Sequence, residues 1–64
     1  MALRWRYEDS HGALAHGPEI TFEDQIDAED WLSREWQALL AGGVEAVTLL
    51  NGAEEVYGPM SLRP

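Results

Sequence analysis

The 64-residue chain has no cysteine. That absence removes disulfides, thiolate chemistry and Cys-ligated zinc or iron–sulfur sites together. It matters in a chain this short, because such a domain buries only about 60% of the surface its unfolded form exposes. Tight packing of large apolar side chains, including three tryptophans, or association with a partner surface must do the work instead. Lysine is also absent. The basic residues are Arg4, Arg6, Arg34 and Arg63, set against twelve acids, for a formal net charge of −8. Phosphate neutralisation dominates nucleic-acid affinity and anionic lipids attract cations, so direct DNA, RNA or membrane-surface binding is not expected. No apolar run approaches the ~20 residues that span a bilayer. The first seven residues lack the apolar core of a secretory signal. One soluble, cytoplasmic domain over residues 1–64 is the expectation.

Catalytic patterns are missing as well. There is no Ser-His-Asp order, G-x-S-x-G, Walker loop or G-x-G-x-x-G. Gly42-Gly43 precedes a strand-like segment, so it reads as a helix stop and not a phosphate cradle.

What is present specifies a small α+β fold. Residues 2–8 alternate, with Leu3, Trp5 and Tyr7 on one face and Arg4, Arg6 and Glu8 on the other, the pattern of a half-buried strand. Asp9-Ser10-His11-Gly12 reads as a turn. Residues 13–16 would pair back as a second strand until Gly17-Pro18 interrupts them. Residues 19–23 form a connection that tucks Ile20 and Phe22 onto the core.

The helix is the firmest element, over residues 24–41. Asp24 caps its start, with Asp27 in the place of a capping-box acid. Five acids between Glu23 and Asp30 crowd the positive end of the helix dipole. Ala28, Leu32, Trp36 and Leu40 form an apolar ladder that Trp31 and Leu39 widen, and Asp30 can pair with Arg34 across one turn. Residues 44–50 and 53–57 then read as a hairpin around Asn51-Gly52 in a type I′ turn, ended by Gly58-Pro59. A two-residue loop there would set Val47 opposite Val56, Leu49 opposite Glu54 and Ala46 opposite Tyr57. The expected architecture is β-β-α-β-β: a three- to four-stranded antiparallel sheet with one helix on a face.

Candidate chemistry is sparse. His11 and His16, with Glu8 and Asp9, lack the fixed geometry of a zinc site and read as solvated turn residues. The acids around the helix start lack EF-hand spacing. Neither a metal nor any other cofactor is expected. Glu35 falls within the apolar arc between Trp31 and Leu39, where a carboxylate needs a partner such as Arg4 or Arg6, or a place at the rim. A raised-pKa acid beside tryptophan can serve catalysis, but a domain this small seldom holds a ~300 Å³ pocket. The candidates for an interaction surface are Arg4, Trp5, Arg6, Trp31, Glu35 and Tyr57, since tryptophan, tyrosine and arginine most often carry interface energy.

With these segments laid out, the chain resembles a group of short, acidic, uncharacterised actinobacterial proteins. The residues that carry the likeness are Trp5-Arg6-Tyr7-Glu8-Asp9, Asp27-Ala28-Glu29 with Trp31-Leu32 and Trp36, and Val56-Tyr57-Gly58-Pro59-Met60. The resemblance implies a stand-alone cytoplasmic domain and no particular activity. The functional expectation is a non-enzymatic protein–protein interaction domain, self-associating as a homodimer through a sheet face or edge strand. One alternative is an acidic regulator of a basic protein, such as a transcription, nucleoid or toxin component. Another is an enzyme or small-molecule binder built on Glu35 and a histidine.

Overall fold

In the computed structural model, which describes residues 2–63, the alternation of the first segment becomes strand β1 (Leu3–Glu8). Helix α1 (Gln25–Ala41) and strands β2 (Ala46–Asn51) and β3 (Glu54–Ser61) follow. The three strands form one antiparallel sheet in the order β1-β2-β3, so the fold is α+β with element order β-α-β-β. The expected second strand is reduced to an isolated bridge between Glu8 and Leu14; a second bridge joins Leu3 to Phe22. The two bridges are three residues out of register with each other. Residues 16–21 therefore leave the edge of β1 between them instead of pairing with it.

Helix α1 starts and stops where the sequence directs. The Asp24 carboxylate accepts the Asp27 N–H at 2.8 Å, supplying one orphan donor of the first turn with a partner. At the other end Gly43 N–H donates to Leu40 and Val44 N–H to Leu39, a Schellman closure in which Gly43 takes φ +101°. Val44 then enters the core.

The face of β1 and β2 that meets the helix carries Leu3, Trp5, Tyr7, Val47 and Leu49, all buried. Trp5 sits under the helix and its indole Nε1 donates to the Ala28 carbonyl at 3.0 Å. Ala28 is fully buried, and its small side chain lets the two elements approach this closely. On the opposite face, Thr48 and Leu50 are also buried. Arg6 of β1 and Glu55 of β3 flank them, and the ion pair between the two at 3.2 Å spans β2.

The hairpin differs from its sequence reading in three ways. Asn51 pairs with Glu54, so the loop is Gly52-Ala53. Only Gly52 has positive φ (+64°), and a glycine at the first of two loop positions suits a type II′ turn. Asn51 stays in the strand, opposite Leu3. The register moves with the loop: Leu49 faces Tyr57, Leu50 faces Glu55, Val47 faces Met60 and Ala46 faces Ser61, with irregularities on either side of Leu49. Lastly, β3 does not stop at Gly58-Pro59, whose peptide bond is cis; it runs on to Ser61. Gly58 permits this. At φ +122° it lies so close to β2 that a Cβ there would stand 2.8 Å from the Thr48 Cα.

Candidate functional site

The helix backbone lies close to β1 and not to β2 or β3. This offset leaves part of the sheet's front face uncovered. Tyr57 and Met60, brought to that face by pairing with Leu49 and Val47, look toward the flank of α1 that carries Glu29, Leu32, Ser33 and Trp36. Between them lies an open groove of about 480 Å³, continued by Ser61, Leu62 and Arg63. Leu62 is buried and anchors the tail, with its N–H bonded to the Glu45 carbonyl at 2.9 Å. Met60 keeps 39% of its surface exposed.

Polar groups fix the ends of the groove. At one end the Tyr57 hydroxyl donates to Glu29 Oε2 at 3.0 Å, and Gln25 Nε2 donates to the same oxygen at 2.7 Å. Burial, reinforced by the neighbouring Glu29 carboxylate, pushes the Tyr57 phenol up to about 12. The Tyr57 ring also meets Trp5 edge-on, with centroids 6.0 Å apart, so the groove floor rests on the core. At the other end Arg63 grips Glu45 through Nε and through Nη2 at 3.0 Å, which raises the guanidinium pKa further. Along the wall, Trp36 Nε1 has no hydrogen-bond partner among the described residues and is not buried.

A second cleft, of about 570 Å³, lies where residues 16–21 leave β1. It is bordered by Arg4, Arg6, His16 and Ile20, and Tyr7 holds the departing loop by donating to the Pro18 carbonyl at 2.7 Å. Burial pushes the Tyr7 phenol up to about 12. In the turn before it, Asp9 Oδ1 accepts the N–H groups of His11 and Ala13 at 2.8 and 3.0 Å, bonds that hold its carboxyl below the usual carboxylate range.

The sequence candidates therefore fall in separate places. Trp5 is a core residue at 4% exposure, which takes its ring out of any contact surface. Arg4 is exposed, whereas Arg6 is committed to Glu55. Trp31 is half-buried against Phe22, with ring centroids 5.8 Å apart. Glu35 is exposed, with no ion pair or hydrogen bond among the described residues. It lines neither cleft, so it does not meet His11 or His16 in a pocket. Phe22 covers the flank of the helix at Trp31, and one turn further on the carboxylate opens to solvent. Among the described residues, no three His, Asp or Glu side chains converge on a possible metal position, and no helix is long and apolar enough to cross a membrane.

Tyr57 alone of the candidates lines the α1–β3 groove. The sequence pattern puts Trp36 in the apolar ladder of the helix and ends the last strand before Met60, whereas both line this groove. The usable signal was Met60 lying just past Gly58-Pro59, where a strand that continued would carry it beside Trp36. Both clefts also exceed the volume expected for so small a domain, because they are open surface features and not enclosed pockets.

Comparison of the chain with protein-family models, with curated proteins and with solved structures gives no match.

Proposed function

We propose that this chain is a non-enzymatic protein–protein interaction domain whose contact surface is the groove between α1 and β3. The observation that carries the reading is the apolar character of that groove: Leu32 and Leu62 are buried at its base, Trp36 and Tyr57 are half-buried along it, and Met60 is exposed where the offset helix leaves the sheet uncovered. An apolar surface rimmed by polar groups is the usual mark of a protein contact. The surfaces expected from sequence fit less well. The back face of the sheet is crossed by the Arg6–Glu55 ion pair, and the outer edge of β3 is broken by register shifts and by Pro59, devices that oppose edge pairing.

Self-association is one use of the groove, two copies meeting face to face about a two-fold axis. A second reading, an acidic regulator of a basic protein, has its own support. Arg6, Arg34 and Arg63 are paired with Glu55, Asp30 and Glu45, leaving nine of the twelve acids without an arginine partner among the described residues. Sedimentation velocity over a concentration series tests the first use. Wild-type protein that dimerises, and a Met60→Glu variant that stays monomeric while keeping its circular dichroism, is the result expected for self-association. A dimer untouched by Met60→Glu and Trp36→Ala would move the interface elsewhere. A location in the cytoplasm belongs with the same proposal.

A further inference from the structure

Resting on the reading that the α1–β3 groove is the contact surface, we infer that its occupant is a cationic amphipathic helix of another protein. That helix lays large apolar side chains along Leu32, Trp36, Tyr57 and Met60 and sets Lys or Arg against the rim. Three observations select this occupant over a second copy or an added strand.

The first is charge. A homodimer would join two bodies of net charge −8 across one surface. Among the described residues the groove brings no free cation to offset this, because Arg63 is the one basic residue lining it and Glu45 holds that guanidinium by two bonds. A cationic partner reverses the sign of the interaction and is steered toward the surface.

The second is the polar chemistry of the rim. Glu29 is exposed and uses Oε2 to accept from both Tyr57 and Gln25, which leaves its other oxygen without a donor among the described residues. Glu54 lies further along β3 on the same front face, paired with Asn51 and through it with Leu3. Glu29 thus borders the apolar floor, and Glu54 lies beyond the groove on the same strand as Tyr57 and Met60, a pattern that matches Lys or Arg flanking an apolar stripe.

The third is backbone satisfaction. An extended segment joining β3 would need a continuous ladder, and the register shifts and Pro59 deny it one. A helix meets its own backbone hydrogen bonds and asks the groove only for side-chain contact.

The test is fluorescence anisotropy with a dye-labelled synthetic peptide of leucine and lysine, about 18 residues or five turns long, with leucines spaced to form one helical face. Two control peptides accompany it: a scramble of the same composition without a face, and a version with glutamate for lysine. The patterned cationic peptide should bind at least about ten-fold more tightly than either control. Met60→Glu or Trp36→Ala in the protein should weaken it by a similar factor, as loss of a central contact does. Arg4→Ala, on the other face of the sheet, should leave it unchanged. Binding of the scramble with equal affinity, or indifference to both groove variants, overturns the inference. Sedimentation of the protein alone separates the two levels. A dimer dissociated by Met60→Glu, with no peptide binding, keeps the groove as a contact surface but gives it to a second copy. Neither dimer nor peptide binding removes both.

Discussion

Strands β1 and β3 flank the same central strand, yet they have opposite fates. In β1 every second side chain is buried: Leu3, Trp5 and Tyr7 keep 7% exposure or less. In β3 no residue is fully buried, and Val56 and Met60 keep 43% and 39% of their surface exposed. The difference is made by the helix. Ala28 and the Trp5 Nε1 bond to its carbonyl draw α1 over β1, and one helix is too narrow to cover both edges of a twisted sheet. Burial in this fold is spent on one side, and the other side is left with an aromatic, a thioether and an open indole N–H. Apolar surface on the second edge is thus a direct result of the packing that stabilises the first.

Substitutions on the two strands should separate stability from binding. The largest effect is expected for Trp5→Ala, which empties the contact under Ala28 and should cost about 3–5 kcal/mol, enough to unfold much of so small a domain. Urea denaturation followed by circular dichroism measures it. Next is Gly58→Ala, where positive φ and the closeness of the Thr48 Cα together should cost about 1–3 kcal/mol, seen as a lower urea midpoint.

A milder loss is expected at alkaline pH. The folded Tyr7 and Tyr57 phenols ionise near 12, against 10.0 for the ordinary group. Protons are then held more tightly in the folded state, so stability should be level below about pH 10 and fall as pH rises toward 12. Glu29→Gln should lower the Tyr57 titration and leave Tyr7 in place, resolved by tyrosinate absorbance in Tyr→Phe backgrounds. Smallest of all, Met60→Ser should change stability by less than about 1 kcal/mol, because the side chain is already exposed. A large loss there would mean that β3 is as much core as β1, and the contrast between the strands would fail.

Much of the fold could be read from the residues because its signals are local. The alternation of residues 3–8, the Asp24 cap and the Gly42-Gly43 stop each act within a turn or two, and β1 and α1 formed as they direct. The hairpin was harder, since its register depends on contacts distant in sequence. Asn51 is claimed by Leu3 on β1, which shifts the loop to Gly52-Ala53 and brings Tyr57, not Glu54, opposite Leu49. Gly58-Pro59 reads as a break, yet the close approach to Thr48 keeps the strand going past it. The candidate site depended on the same two features. Tyr57 was recognised by residue type, but its place beside Trp36 and Met60 follows from the shifted register and the offset helix, neither of which periodicity encodes.

The central claim is that the front face of the protein has a sealed half and a receptive half. Two-dimensional NMR of the wild-type protein during titration with the leucine–lysine peptide tests this most directly, following the Trp5 and Trp36 indole N–H and the Met60 methyl signals together. The account predicts that Trp36 and Met60 shift progressively while Trp5 stays still and exchanges slowly with solvent. Shifts confined to Arg4, Arg6 and the residues 16–21, or spread evenly over the acidic surface, would contradict it.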